Sequence, residues 1–200
     1  MDLLTLGDYE RTASERVPAP TSAFIDGGAG DERVLKRNRR AFDAVSLMPR
    51  VLVDVSSRST NVTVLGEDLS TPVMLAPSAM HRMVHPDGEM ATVRGAGAAG
   101  ALTVLSMASS LPVEMVMQHA SGPVWFQAYV GKDRALTAEV FARAETAGCS
   151  AIVVTVDAPV VGGRTRELRM KFTLEPGWFA DDHIPMYGLT SPITSGRAAT

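Results

Sequence analysis

A single cysteine, Cys149, stands in this chain of 200 residues. An internal disulfide is therefore excluded. Its place after Gly148, among apolar residues, predicts a buried small side chain rather than a reactive thiol. Charge of one sign is also lacking in excess: the net charge is −3, and no basic block occurs. The footprint of a nucleic-acid or anionic-membrane binder is absent. No apolar run approaches transmembrane length. Met1-Asp2-Leu3-Leu4 lacks the basic and apolar regions of a secretory leader. These absences predict a cytoplasmic protein with neither nucleic-acid nor membrane partners. Metal-ligand clusters are missing too. His81 and His85 are four apart, but Pro86 denies them one helical face, so the expected metal is none. Gly27-Gly28-Ala29-Gly30 has no buried strand before it and fails the context of a dinucleotide loop. No nucleophile–base pair stands out.

What is present is a rhythm. Apolar runs recur at Val73–Leu75, Ala101–Ser106, Val124–Val130 and Ala151–Asp157, and all but the last are followed by helical spacing. Apolar runs alternating with helices predict parallel strands buried on both faces. The spacing predicts strands at Val73–Ala76, Leu102–Leu105, Trp125–Val130 and Ala151–Val156. It predicts helices from Pro86 to Ala99, Leu111 to Gln118 and Lys132 to Ala147, closed by Gly100 and Gly148 where glycine suits a C-terminal cap. Before the rhythm, Leu6–Val17 reads as a helix capped by Asp8, Thr21–Asp26 as a helical turn, and Asp31–Phe42 as a helix capped by Asp31. Val51–Val55 and Asn61–Leu65 are β-rich, and Gly66-Glu67-Asp68 turns the chain back toward Leu69–Thr71. This small β-element is expected to close one end of a barrel. After Arg169 the pattern decays, and the Pro-, Gly-, Ser- and Thr-bearing stretch Trp178–Thr200 reads as loop or disorder.

The expected fold is α/β: the first half of a TIM (β/α)8 barrel behind an N-terminal helical and β-hairpin cap. Residues 1–71 form the cap, 72–172 four βα units, and 173–200 a flexible tail. A complete barrel takes about 250 residues, and half of one leaves two strand edges open.

Polar residues gather at the C-terminal ends of the predicted strands, where such barrels keep their chemistry. Gln127 and Tyr129 are two apart and point the same way on a strand; Thr155 and Asp157 repeat the relation one strand later. A lone polar residue on a strand is usually a satisfied structural group. Two adjacent strands carrying such pairs favour a polar site. Tyr129 offers a phenol to a carboxylate or alkoxide, and Gln127 a donor and an acceptor to a heteroaromatic edge. Arg164, after Gly162-Gly163, is a candidate for an anionic substrate or a surface arginine.

Several ordered motifs are familiar. Phe24 to Asp31, Asn38-Arg39-Arg40-Ala41-Phe42, Pro72 to Ala79, His85-Pro86-Asp87-Gly88-Glu89, Leu105-Ser106, Trp125 to Tyr129 and Thr155-Val156-Asp157-Ala158-Pro159 resemble the FMN-dependent 2-hydroxy acid oxidase and dehydrogenase family. That family includes glycolate oxidase, lactate oxidase and mandelate dehydrogenase. The resemblance runs from about Leu6 to Phe172 and matches the N-terminal half of the family's pattern. It implies FMN as cofactor and a small 2-hydroxy acid as substrate. Ala76, Pro77 and Ser78 would lie against the flavin ring. Ser106, Gln127 and Thr155 would bond its polar edge. Tyr129 would steady the substrate hydroxyl, Asp157 would partner the catalytic histidine, and Arg164 would hold the substrate carboxylate.

Two departures bear on the substrate. Phe24 replaces the family's usual tyrosine and cannot donate to a carboxylate. Ala108 sits where several short-chain oxidases carry a bulky aromatic, which predicts a wider, mandelate-like pocket. The family's catalytic histidine, second arginine, flavin-contacting lysine and phosphate-binding glycines belong to the C-terminal half of its pattern. His183 has no matching motif. Three readings follow: half of a split (S)-2-hydroxy acid oxidase whose C-terminal half barrel comes from a protein partner; a non-catalytic truncated remnant; or a binding or regulatory module pairing with an intact homologue. The expected partner is a chain supplying the C-terminal half barrel, or an oligomer.

Overall fold

The structure is a computed structural model and describes residues 3–157, 162–175 and 177–178. The predicted tail beyond Trp178 lies outside the described residues. Two compact units divide the described residues: 3–57 group with 162–173, and 58–157 with 174, 175, 177 and 178.

In the first unit, α1 spans Leu6–Arg16, α2 Ala19–Asp26 and α3 Arg33–Asp43, and a short α7, Thr165–Arg169, packs beside α2. The cap of α1 is Thr5, not Asp8. Asp8 is the third residue of a reciprocal box, its N–H donating to Thr5 Oγ1 at 3.2 Å while its carboxylate accepts from Thr5 N at 2.8 Å. The Thr5 bonds hold the Asp8 carboxyl below the usual carboxylate range. Asp31 likewise yields to Glu32, which begins α3 in a left-handed conformation with φ 57°. The Glu32 carboxylate takes Arg166 of α7 at 2.5 Å, and that guanidinium lowers its pKa. Val51–Val55 forms no strand; its side chains are exposed, so β propensity finds no partner to pair with.

The second unit is built on a three-stranded parallel sheet, ordered β3 (Thr103–Ser106), β4 (Val124–Ala128), β5 (Ala151–Val154). The first predicted strand, Val73–Ala76, is reduced to a bridge. Leu75 N–H donates to Leu102 O and Val104 N–H to Leu75 O, each at 2.9 Å. Val73 is 62% exposed. One flank of this segment lacks a partner ladder among the described residues, which is why it does not develop into a strand. The order is that of consecutive strands in the first half of an α/β barrel.

Alternation divides the sheet into two faces. Leu105, Val124, Phe126, Ala128 and Ile152 turn toward α4 (Glu89–Ala98), α5 (Val113–Met117) and α6 (Arg134–Thr146), where Val93, Val113, Val116, Val140 and Ala144 complete the main core. Phe126, Val116 and Ala144 are fully buried. Close approach is enforced at one point: a Cβ on Gly97 of α4 would meet Ser121 Oγ at 2.2 Å. Cys149 packs at this core's edge, and burial pushes its thiol up to about 11. It is a packing residue, though half-buried rather than buried as its sequence setting predicts.

The opposite face carries Val104, Trp125, Ala151 and Val153 at the N-terminal ends of the strands. They pack with Leu102 against the β-hairpin β1 (Val62–Val64) and β2 (Glu67–Leu69), whose Leu69 is 3% exposed. The hairpin's two-residue loop is Leu65-Gly66, both at positive φ (49° and 87°), the mirror-image turn whose twist suits a tight hairpin. The expected turn at Gly66-Glu67-Asp68 is thus shifted: Glu67 and Asp68 already belong to the returning strand. The hairpin closes one end of the sheet's interior face. It leaves the other end, where β3, β4 and β5 finish, uncovered by this hairpin.

Candidate functional site

On the interior face, past Val104, Trp125 and Val153, the next residues are Ser106, Gln127 and Thr155. Parallel register places Ser106 directly opposite Gln127. The three side chains form one hydrogen-bonded row. Ser106 Oγ donates to Gln127 Oε1 at 3.3 Å, and Gln127 Nε2 donates to Thr155 Oγ1 at 2.8 Å. Ser106 Oγ also accepts from Ala108 N at 3.1 Å. Gln127 is 2% exposed and Ser106 5%. A buried amide held at both ends is fixed in orientation, its oxygen toward β3 and its nitrogen toward β5. Such a row offers a rigid sequence of donors and acceptors at the C-terminal ends of three strands.

Tyr129 follows on the same alternation but one residue past β4. It is 39% exposed, and its N–H donates to Met107 Sδ at 3.3 Å. Asp157 lies exposed beyond β5. Ala76, Pro77 and Ser78 continue from the Leu75 bridge as an exposed loop. Ala76, Ser78 and Ser106 line a common small cavity. Ala108 is half-buried, and its carbonyl accepts from Met80 N at 3.1 Å.

Phe24 and Arg164 belong to the first unit, and the structure brings these two together. The Arg164 guanidinium lies over the Phe24 ring, 4.8 Å from its centroid, and donates to the carbonyls of Phe24 and Gly27. Glu167 approaches the same guanidinium at 3.3 Å. Phe172 stacks on Phe24 with centroids 4.4 Å apart. In this arrangement Arg164 is committed to backbone carbonyls and one carboxylate. Phe172 was not singled out in the sequence; its only signal was an aromatic after a basic run. Glu89 was also missed. It sits in the motif His85-Pro86-Asp87-Gly88-Glu89, which reads as a helix opening, and the structure buries it to 1% exposure.

Residues 13–191 match the family model of the FMN-dependent dehydrogenases. This chain belongs to that family. The FMN-dependent dehydrogenase fold and sequence extend to named relatives. The chain is 43% identical over 177 residues to glycolate oxidase 3 of Oryza sativa subsp. indica, covering 88% of this chain and 48% of that protein. It is 40% identical over 176 residues to the glycolate oxidase of Spinacia oleracea, with the same coverages. Among solved structures, mandelate oxidase with (S)-4-hydroxymandelic acid superposes with a TM-score of 0.85 at 36% identity, over 89% of this chain and 50% of that one. Mandelate oxidase with (S)-2-phenylpropionate gives 0.86 at 36%, over 91% and 54%. The chain spans about half the length of these relatives. The family's cofactor is FMN, and the Ser106–Gln127–Thr155 row fits it: the polar edge of a flavin ring needs both donors and acceptors, and the row presents both. Among the described residues, no helix is long and apolar enough to cross a membrane.

Proposed function

We propose that this chain supplies the N-terminal half of the barrel of an FMN-dependent oxidase acting on (S)-2-hydroxy acids with aryl side chains, completed by a C-terminal half barrel from a partner. The observation that carries the reading is the hydrogen-bonded Ser106–Gln127–Thr155 row, with Ser106 and Gln127 buried, at the end of the sheet away from the hairpin. In this reading Ala76, Pro77 and Ser78 back the ring, and the row bonds its polar edge. FMN, when bound, would supply the two-electron acceptor needed to oxidise the hydroxy acid to a keto acid. Tyr129 steadies the substrate hydroxyl with its phenol. Asp157 orients and charges a histidine base carried by the partner half. Arg164 binds the substrate carboxylate after exchanging the Phe24 and Gly27 carbonyls for it, and Phe24 adds apolar surface.

The test is cofactor binding with and without a complementary half. Phosphate sites in these barrels form after strands seven and eight, beyond the four strand positions seen here. FMN titrated into the chain, followed by flavin fluorescence, should therefore bind more weakly than about 1 µM. Adding the separately expressed C-terminal half of a mandelate oxidase should bring the affinity below that value. Sub-micromolar, stoichiometric binding by the chain alone would refute the proposed division of labour.

Substrate choice is tested at Ala108. A pocket discriminates apolar groups by about 1–3 kcal/mol per methylene, so preference for an aryl substrate should be graded. In the reconstituted enzyme, Ala108→Trp should lower kcat/KM on mandelate by at least about 10-fold more than on lactate. Equal losses on both substrates would remove Ala108 from the substrate wall.

A further inference from the structure

Glu89 is the first residue of α4 and is 1% exposed. Carboxylates are seldom buried so deeply unless they are paired. Its Oε1 accepts two backbone N–H groups, from His81 at 3.0 Å and from Ser110 at 2.8 Å. Those donors come from two different connections, His81 opening the 3-10 turn His81–Met83. One follows the Leu75 bridge and carries Ala76, Pro77 and Ser78. The other follows β3 and carries Ser106's neighbours Met107 and Ala108. Two lesser ties join the same loops: Met80 N to Ala108 O at 3.1 Å, and Arg82 N to Ser110 Oγ at 3.0 Å. The second oxygen, Glu89 Oε2, is buried without a hydrogen-bond partner, and so is Thr103 Oγ1. Both residues line one small cavity of about 10 Å³, together with Ala76, Ser78 and Ser106. That is the space of about one water molecule.

We propose that Glu89 is a positioning residue for the flavin-facing surface. One carboxylate oxygen clamps the loop bearing Ala76–Ser78 to the loop bearing Ala108, and the other shares a single buried water with Thr103. The assignment rests on the FMN reading above for its functional meaning, though not for the clamp itself. Charge-assisted bonds to backbone N–H groups are roughly twice as strong as neutral ones. A carboxylate with both donors on one oxygen fixes the separation of the two loops. The water answers for two buried polar atoms that otherwise have nothing to bond.

The test uses the full chain and three forms of it: native, Glu89→Gln and Glu89→Leu. Site-resolved hydrogen exchange reads the clamp without any flavin. In Glu89→Leu, the amides of His81 and Ser110 should exchange at least about 10-fold faster, with β4 and α6 unchanged. In Glu89→Gln, which keeps an oxygen acceptor but loses the charge, the acceleration should be about 3-fold. Uniform acceleration across β4 and α6, or none at His81 and Ser110, would overturn the clamp. Should Glu89→Leu fail to fold, the local change in Glu89→Gln decides by itself. A crystal structure should show one water within hydrogen-bond distance of Glu89 Oε2 and Thr103 Oγ1; an empty cavity would overturn its second half. FMN titration supplies the functional arm: Glu89→Leu should raise Kd at least about 10-fold and Glu89→Gln about 3-fold or less. Native-like FMN affinity in Glu89→Leu, with exchange locally increased, would overturn the positioning role. No FMN binding by the native chain, alone or with the complementary half, would instead fail the flavin reading, leaving the clamp to the exchange data.

Discussion

By itself the chain is expected to leave lactate, glycolate and mandelate unoxidised, even with FMN and an artificial electron acceptor supplied. The reason is that, among the described residues, no histidine base is placed at the proposed site. Three histidines lie among the described residues, and each is engaged elsewhere. His81 Nδ1 meets Thr92 Oγ1 at 2.8 Å, His85 Nδ1 accepts from Asp87 N at 3.2 Å, and His119 Nδ1 meets Met115 O at 3.0 Å. None belongs to the Ser106–Gln127–Thr155 row. A positioned proton acceptor contributes about 10²- to 10⁴-fold to a rate, and the substrate's carbon-bound proton is a poor acid without one. Adding the C-terminal half of a mandelate oxidase should restore turnover. Asp157→Asn should then lower the recovered kcat by at least about 10²-fold, because the histidine loses its acidic partner. Steady oxidation of mandelate by the purified chain, with no second polypeptide, would defeat this account.

Phe126→Ala is expected to be the most damaging single change to the fold. The Phe126 ring is fully buried on the helix-facing side of β4, in the cluster with Leu105, Val116 and Val140. Truncating a buried phenylalanine removes its transfer energy and leaves a cavity, at a cost of about 3–5 kcal/mol. Whole domains are stable by only about 5–15 kcal/mol. The variant should therefore unfold at a markedly lower urea midpoint with an unchanged slope. A loss under about 1 kcal/mol would mean that the sheet and helices do not share one core.

The strands β3 and β4 were legible because double burial writes itself as apolar runs; β5 carries the same kind of run though its residues are only half-buried or exposed. The row of Ser106, Gln127 and Thr155 was legible for the complementary reason: polar residues interrupt those runs near their C-terminal ends on adjacent strands. Val73–Ala76 has the same composition yet makes only a bridge, since pairing depends on neighbours that a run cannot specify. Val51–Val55 fails likewise, with exposed side chains and no ladder. Caps were misplaced for a different reason. Asp8 has capping chemistry, but it serves as the reciprocal partner of Thr5, three residues earlier. Glu89 was hidden because its partners are main-chain N–H groups of residues 8 and 21 positions away. Backbone donors exist at nearly every position, so their recruitment leaves no mark on composition. Arg164 was read as a carboxylate ligand, and only the folded chain reveals its contacts with the Phe24 and Gly27 carbonyls.

The hairpin seated on Trp125 and Leu102 through Leu69 turns the interior of the sheet into a cul-de-sac. In the proposed oxidase, anything that reaches the row of polar side chains must leave by the mouth through which it came. Traffic through one doorway is sequential: the departing keto acid and the arriving hydroxy acid exclude each other. Product should accordingly slow the reconstituted enzyme by competing with substrate, and widening the mouth should speed exchange of both.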